Sequence, residues 1–297
     1  MKQENTNGTW FSRLLFVVCL IAGLGISSKL EASHFRHGTM SWRIVSGTTV
    51  EFKISQAWAN WGNWTVGQTG YSDVLYFGDG QSATFSVVAT TVSGNGGSNY
   101  YYGETTVTHT YPTSLTRAGY TAYFGSCCKI GNLSNNANAN WRNETVVQLF
   151  GTTNTSSPVT TMAPIINMQV GLTAATFQVP ASDPDNNNLT YRLATASEFS
   201  GTQPSGFSIN SSTGLITFNT IGKTVGSLWN AAIVVEDGTT KVINDFIIQI
   251  VQQSNPPVWD YSVTPVNGHV YQVAPGTNVS FSIKADRKST RLNSSHH

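Results

Sequence analysis

Short stretches in which apolar and polar residues alternate limit the fold of this chain more than any other feature. Residues 39–44 and 50–55 alternate in this way, and the stretch 45–48 between them contains Gly47 and suits a hairpin turn. Alternation with a period of two indicates strands that bury one face. The same rhythm of strand and turn recurs at residues 74–80, 107–111, 118–124, 175–179, 206–218, 231–238 and 242–251. The chain is therefore predicted to be all-β.

The composition favours the same fold class. Charged residues make up only 10% of the 297 residues, and 27 glycines supply turn positions. β-branched, aromatic and turn residues favour strands over helices, and the length suits about two domains of roughly 100–150 residues each. We therefore expect tandem β-sandwich modules.

The first 32 residues are predicted to be a signal peptide. Lys2 and Arg13 precede an apolar run at residues 14–26, which is shorter than the roughly 20 residues that a membrane span needs. Small residues near position 32 place the cleavage before Ser33, and an uncleaved signal anchor is the alternative. The mature protein is expected to be secreted or exposed at the cell surface.

The last residues are predicted to lie outside the natural protein. Residues 286–296 resemble the translation of a common sequencing-library adapter at every position, and they break off a β-patterned stretch. Residues 286–297 are therefore treated as an artefact and excluded from the fold. The natural chain is expected to continue past Ala285, which leaves its membrane attachment open.

The charge of the remaining chain argues against a nucleic-acid partner. Between the two excluded ends, 10 Lys and Arg face 12 Asp and Glu, a net charge of about −2, and no basic block occurs. Nucleic-acid binding relies on a clustered positive surface. We expect a near-neutral, solvated surface instead.

Cys127 and Cys128 are the cysteines that remain once Cys19 leaves with the signal peptide. In an oxidising compartment we expect them to be paired, either with each other as a vicinal disulfide or with partners further along the natural chain. Buried free thiols are the third possibility. No CxxC pair or zinc-type spacing occurs.

Seven N-x-S/T sequons in the mature chain agree with export and predict glycosylation. They are Asn63, Asn132, Asn143, Asn154, Asn188, Asn210 and Asn278.

The first module, residues 33–150, resembles a known extracellular domain family. The motifs FGDG at residues 77–80, HTY at 109–111 and GYTAYF at 119–124 occur in order. Together they are similar to the polycystic-kidney-disease (PKD) type of Ig-like domain. The resemblance implies that Asp79 and the HTY strand are structural and that the domain is a spacer or binding module. Residues 92–103 and 125–133 depart from that family's pattern.

Residues 151–164 contain two prolines and no core pattern, and they predict a linker before a second module at residues 165–253. In that module, SDPDNNNLTY, GFSINSSTGLITF and AAIVVEDG resemble a cadherin-like Ig domain of the dystroglycan or bacterial-adhesin kind. Residues 254–285 resemble the start of a third such repeat, with strands expected at 270–273 and 279–283. The fold class that follows is all-β, with tandem Ig-like β-sandwich modules after a signal peptide.

Calcium is the sharpest cofactor hypothesis. Ca²⁺ prefers six to eight oxygen ligands, and Asp183, Asp185 and Asn187 occupy alternate positions of one turn. The cadherin-like resemblance adds Glu236 and Asp237 to this predicted set. The linker that follows, residues 251–257, has no carboxylate, so any affinity is expected to be weak. The alternative is that these side chains close turns.

No arrangement in the sequence predicts an enzyme. Glu104, Glu144 and Asp73 have no partner at a meaningful spacing, and no GxSxG, HExxH or phosphate-binding loop occurs. Trp58, Trp61 and Trp64 have a spacing of three and raise the hypothesis of a sugar-stacking surface, against the alternative that they cap the end of a sandwich.

The sequence thus predicts a non-enzymatic extracellular modular protein for cell adhesion or matrix interaction, with calcium stabilisation as a hypothesis and no other cofactor. Its expected partners are other extracellular proteins or cell-surface glycans. The alternative is that these modules are spacers or carbohydrate-binding accessories of a secreted hydrolase.

Overall fold

The computed structural model describes residues 34–60, 64–93, 99–112, 119–253 and 258–286. The predicted signal peptide, Trp61, Asn63 and all of the predicted artefact except Asp286 lie outside these residues. The described part is all-β, as predicted. Its elements are β1 (Phe35–Ser46), β2 (Thr49–Ala59), β3 (Thr69–Tyr76), β4 (Ser82–Ser93), β5 (Tyr100–Thr110), β6 (Tyr120–Ser126), β7 (Trp141–Val147), β8 (Val159–Thr160), β9 (Ile165–Gln169), β10 (Ala175–Gln178), β11 (Ala181–Ser182), β12 (Thr190–Leu193), α1 (Ala196–Phe199), β13 (Phe207–Ile209), β14 (Leu215–Phe218), β15 (Leu228–Glu236), β16 (Lys241–Val251), β17 (Val258–Trp259) and β18 (Ala285–Asp286).

The first module consists of β1 to β7 in the order β1-β2-β5-β4-β3-β6-β7. The predicted β1–β2 hairpin is confirmed, and Gly47 turns the chain with a φ of 55°, a conformation that favours glycine. Inward-facing side chains form one aromatic core. Phe35 stacks on Trp141 with ring centroids 4.1 Å apart, and the edge of Trp58 meets both rings.

The second module is built around the hairpin of β15 and β16. The stretches 231–238 and 242–251, predicted as strand and turn, form this hairpin, and its turn lies at Asp237 and Gly238. β12 pairs with β15, β9 runs parallel to β16, and the small sheet β10-β14-β13 covers the core. That core is apolar, with Phe246, Ile248 and Ile250 of β16 wholly buried.

A single strand joins the two modules. β16 pairs with β15 from Lys241 to Gln249, and its first half also pairs with β1 and with β7 of the first module. Gly38 lies opposite Asp245, and Thr145 lies opposite Val242. The first module therefore closes its β1–β7 edge with a strand of the second.

Residues 151–164 pack against both modules. The Ser157 amide donates to the Trp42 carbonyl over 2.9 Å, and the Ile44 amide donates to the Thr155 carbonyl over 2.7 Å. Ser157 is wholly buried, and Val159–Thr160 forms β8 with β11. The packing of this segment differs from that of a solvent-exposed spacer because its backbone pairs with β1.

Residues 258–286 have little regular structure. The strands expected at residues 270–273 and 279–283 are absent from this described segment, and that expectation was wrong. β17 and β18 form its only regular pairing in the described part of the segment. An alternating sequence becomes a strand when a neighbour satisfies its backbone groups, and here no described strand lies beside either stretch.

No helix among the described residues is long and apolar enough to cross a membrane.

Candidate functional site

A buried polar cluster lies where the modules meet. Lys129 of the first module reaches into the second, where its Nζ lies 3.1 Å from Asp245 Oδ2 and donates to Asn230 Oδ1 over 2.8 Å. It also donates to the Phe199 carbonyl over 3.1 Å, and Asn230 Nδ2 donates to Asp245 Oδ1. The side chains of Lys129 and Asp245 are 1% and 0% exposed. Burial raises the pKa of Asp245, and the adjacent Lys129 opposes this shift.

A buried ion pair adds little net stability, and we interpret its role here as specificity for one packing of the modules. Removing two charges from water costs several kcal/mol per ion, and the pair recovers this only when its hydrogen bonds are complete. Lys129 and Asp245 belong to different modules, so their charges meet only when the modules pack together. We therefore interpret the cluster, Lys129, Asn230 and Asp245, as the junction lock.

The segment around Cys127 and Cys128 positions the lock. The structure joins the two cysteines as a vicinal disulfide, the first of the three possibilities. The Cys128 carbonyl accepts hydrogen bonds from the amides of His34 and Phe35, and the Lys129 amide donates to the Ala139 carbonyl. Lys129 is thus fixed against β1 before its side chain enters the second module.

Backbone and amide contacts extend the junction. Asn135 Nδ2 donates to the Asn230 carbonyl, and the Asn230 amide donates back to Asn135 Oδ1, each over 2.8 Å. At the other side of the seam, Asn143 Nδ2 donates to the carbonyls of Gly38 and Ile243 and ties β1 to β16. An apolar cluster of Ala59, Ile130, Leu133, Leu228 and Ile247 fills the space between.

An outer face carries a chain of aromatic and charged side chains across the junction. Tyr76 stacks on Tyr123 at 4.9 Å, and the Arg142 guanidinium lies 3.8 Å from the Tyr123 ring centre. Arg142 pairs with Glu144, and Glu144 pairs with Lys241 of the second module over 2.7 Å. We call Tyr76, Tyr123 and Arg142 the aromatic face.

The chain of charges continues into the second module. Lys241 Nζ lies 2.6 Å from Glu198, which also pairs with Arg192, and Arg192 pairs with Glu236. Burial alone would raise the pKa of Glu198, but hydrogen bonds from Arg192 and Lys241 outweigh it and lower the pKa strongly. Glu236 is therefore engaged by Arg192 and not by the other predicted calcium ligands.

The other four predicted calcium ligands lie in one hydrogen-bond network. Asp183 Oδ1 accepts from the amides of Asp185 and Asn187. Asn187 Nδ2 donates to Asn154 Oδ1, and Asn154 Nδ2 donates to Asp237 Oδ2, each over 2.8 Å. The sequence therefore identified residues that meet in space, with Asn154 as the link that it did not predict.

Most carboxylate oxygens of this network already accept hydrogen bonds. Asp185 accepts four, from the amides and hydroxyls of Thr155 and Ser156. Burial would raise the pKa of Asp185, but these hydrogen bonds outweigh it and lower the pKa. Asp183 Oδ2 is buried without a partner. Within the described residues, no three His, Cys, Asp or Glu side chains form a metal-binding group.

Two predicted glycan sites do not fit the fold. Asn143 is wholly buried with its Nδ2 committed to two carbonyls, and Asn154 is 7% exposed with its Nδ2 bound to Asp237. A glycan on either nitrogen is incompatible with this packing, so both are removed from the candidates. Asn132, Asn188, Asn210 and Asn278 are exposed.

The tryptophan hypothesis is wrong for the residues that the structure describes. Trp58 is 5% exposed and belongs to the aromatic core, and Trp64 packs against Tyr101 and Tyr71 at the edge of that core. Trp58 is therefore too buried to stack on a sugar, and Trp64 is partly buried against two tyrosine rings. Both tryptophans therefore pack with the aromatic core of the first module.

The predicted structural role of Asp79 matches its contacts. Asp79 accepts from the Gln81 amide and lies 2.7 Å from His109 Nε2, while His109 stacks on Phe77. Burial would raise the pKa of Asp79, but the hydrogen bonds from Gln81 and His109 outweigh it and lower the pKa. Gly78 turns the chain here with a φ of 85°.

The acids considered for catalysis are each engaged elsewhere. Glu104 pairs with Lys53, and Glu144 pairs with Arg142 and Lys241. Asp73 accepts from Gln56 Nε2, and burial raises its pKa to about 6. The three acids therefore belong to three separate contacts.

Family comparisons match both modules. Residues 36–150 match the model of the N-terminal domain of integrin beta-like proteins A–E, and residues 159–259 match the model of their second Ig-like domain. The first match is to this domain and not to a PKD domain, so the PKD resemblance extends no further than its motifs.

Curated relatives of the same description come from Dictyostelium discoideum. Integrin beta-like protein A is 31% identical over 93% of this chain, and integrin beta-like protein C is 32% identical over 82% of it. The chain spans only 16% and 13% of these relatives.

Among solved structures, two cadherin ectodomains share limited similarity with the chain. Human protocadherin-24 EC1-2 is 21% identical, covering 43% of this chain and 60% of its own. Human desmocollin-1 is 10% identical, covering 71% of this chain and 49% of its own. Both have a TM-score of 0.25, which is too low to support an argument.

Proposed function

Since the chain belongs, through both matched domains, to the family of integrin beta-like proteins A–E, we propose that it is a non-enzymatic extracellular module pair for adhesion. The observation that carries this proposal is the junction lock, because it holds two sandwiches as one unit. A rigid unit presents its outer surfaces in a fixed relation, which lowers the ordering cost of binding a partner.

The aromatic face is the surface that we propose for contact with other extracellular proteins. Tyr76 is 42% exposed, and Tyr and Arg are enriched among residues that dominate protein interfaces. The aromatic side chains supply apolar area, and Arg142 supplies charge-assisted hydrogen bonds.

A bead assay tests this role. Beads coated with the full chain are expected to aggregate or to bind cells, and the double variant Tyr76→Ala, Tyr123→Ala is expected to abolish most of that binding. Tyr261→Ala is the matched control, since Tyr261 is also an exposed tyrosine. Inert wild-type beads would refute adhesion. Equal loss in both variants would refute the aromatic face as the contact surface.

We propose that calcium binds only weakly at the network of Asp183, Asp185, Asn187 and Asp237. Asp183 Oδ2 is the oxygen without a partner, and the remaining oxygens would have to exchange hydrogen bonds for the ion. Because so few oxygens are free to bind the ion, we expect a calcium Kd of about 0.1–1 mM, the range known for extracellular modules. Calorimetric titration of the full chain and of its Asp183→Asn variant with CaCl₂ tests this. We expect the wild type to release or absorb binding heat at millimolar calcium and the variant to show none.

A further inference from the structure

A cavity of about 300 Å³ lies between the outward face of the first module and residues 159–164. Thr39, Ser55 and Glu104 lie in one row across β1, β2 and β5 and line one side of it. Met162 and Pro164 line the other side. We call this cavity the junction pocket. Its size falls at the lower end of small-molecule sites.

One hydroxyl group that lines the junction pocket has no hydrogen-bond partner in the protein, and a second unpartnered group lies next to it, outside the lining. Thr39 is 9% exposed, and its hydroxyl has no hydrogen-bond partner in the protein. Its cross-strand neighbour Asn244 is wholly buried with an unpartnered Nδ2, while Asn244 Oδ1 accepts from Thr160 Oγ1. An unpaired buried polar group costs about 1–3 kcal/mol, so such groups call for an explanation.

The charges of the pocket cancel. Lys53 Nζ lies 3.0 Å from Glu104 Oε2, and the Tyr102 hydroxyl donates to Glu104 Oε1 over 2.9 Å. Burial raises the pKa of Tyr102 to about 12, so this hydroxyl keeps its proton at neutral pH. Glu104 would repel an anionic ligand and Lys53 a cationic one, which favours a neutral occupant.

The remaining lining selects a ligand rich in hydroxyl groups. Ser41, Ser55 and Thr91 present hydroxyls, while the rings of Tyr100 and Tyr102 and the side chain of Met162 present apolar surface. A saccharide ring combines a rim of hydroxyls with C–H faces that pack on aromatic rings. We propose that the junction pocket binds a neutral saccharide unit, with Thr39, Tyr102 and the Lys53–Glu104 pair as its hydrogen-bonding groups.

This proposal is independent of the aromatic face, which involves other residues. It also differs from the tryptophan hypothesis, because none of the lining residues is a tryptophan.

Ligand-observed NMR with the full chain tests the proposal. The probes are the methyl glycosides of mannose, glucose and galactose, and N-acetylglucosamine. At least one is expected to bind saturably with a Kd on the order of 1 mM, a free energy of about −4 kcal/mol. Thr39→Val and Tyr102→Phe are each expected to weaken that binding at least about tenfold, because each removes one hydrogen bond to the saccharide.

Two further variants keep the test sharp. Thr108→Val is the matched control on the same strand as Tyr102, exposed and outside the pocket, and it is expected to bind as the wild type does. Ala163→Trp fills the pocket without removing a polar group and is expected to abolish binding. Thr39→Val removes an unpaired hydroxyl, so it is expected to fold and to keep its melting temperature.

Three outcomes would overturn the proposal. The first is no saturable signal from any of the four probes. The second is unchanged affinity in Thr39→Val and Ala163→Trp, which would put the site elsewhere. The third is tighter binding of glucose 6-phosphate or glucosamine than of the neutral probes, which would refute the neutral class.

Discussion

The junction between the two modules and the segment 258–286 both contain apolar side chains, but the junction buries them and the segment exposes them. At the junction, Leu133, Leu228 and Ile247 are at least 93% buried, and β16 supplies backbone partners on both sides. In the segment, Val270 is 76% exposed and Ile283 is 63% exposed. The difference shows that burial in this molecule depends on a neighbouring strand as much as on an apolar sequence.

The largest expected effect comes from breaking the junction lock. Lys129→Met leaves Asp245 buried without its cation, so we expect the free energy of unfolding to fall by about 3–5 kcal/mol. The double variant Lys129→Met, Asp245→Leu should recover most of this loss, because no uncompensated charge remains. Denaturant unfolding of the full chain measures both, and an unchanged midpoint in Lys129→Met would contradict the role of the lock.

A pair of matched truncations tests the comparison directly. Ile247→Ala at the junction is expected to cost about 2–4 kcal/mol, the usual range for a buried aliphatic side chain. Ile283→Ala in the segment is expected to change stability by less than about 0.5 kcal/mol, because the side chain is already in water. Equal costs would mean that the segment is as well packed as the junction.

The acid response of the junction region is the next effect in size. Burial lowers the pKa of His37 to about 4. Below about pH 6.5 the imidazole of His37 is therefore protonated in the unfolded chain but stays neutral in the folded chain. The free energy of unfolding is unaffected by this group above pH 6.5 and decreases as the pH falls toward 4. In the wild type this decrease is expected to be on the order of 1–3 kcal/mol between pH 6.5 and 4, and His37→Gln should not show it. Parallel wild-type and variant profiles would contradict it.

The smallest expected effect is at Asp79, in a turn away from the junction. Asp79→Asn should cost about 1 kcal/mol at neutral pH through weaker hydrogen bonds with Gln81 and His109. Because the pKa of Asp79 is lowered in the folded chain, its contribution is present above the ordinary carboxyl pKa and disappears as the pH falls below it. Denaturant unfolding of the full chain at pH 7 and pH 3 measures this cost, and a midpoint equal to that of the wild type at pH 7 would contradict it.

The sequence predicted the strands and turns well where the signal was local. The hairpins β1–β2 and β15–β16 follow from alternation and from turn residues such as Gly47 and Gly238, and both were confirmed. These features depend on neighbours in the chain, so one sequence contains what is needed to predict them.

The junction could not be predicted in the same way, because its partners are far apart in sequence. Lys129 lies beside the cysteines without any pattern that points to Asp245. A partial signal was present in β16, where Asn244 and Asp245 interrupt a mostly apolar strand and mark buried polar positions. The calcium prediction found residues that do meet, but the sequence could not show that their oxygens accept hydrogen bonds from Thr155 and Ser156.

The dual pairing of β16 has a consequence for the order in which the protein is made. The strand that lies between β1 and β7 is about 200 residues downstream of its partner Gly38. Domains generally fold from the amino terminus as they leave the ribosome. Here all strands of the first module leave the ribosome before β16 does. The edges of β1 and β7 therefore have no partner strand until β16 has been synthesised. Such an open edge can pair with another chain, so the interval between the two modules is the period when a nascent chain most needs protection from its neighbours.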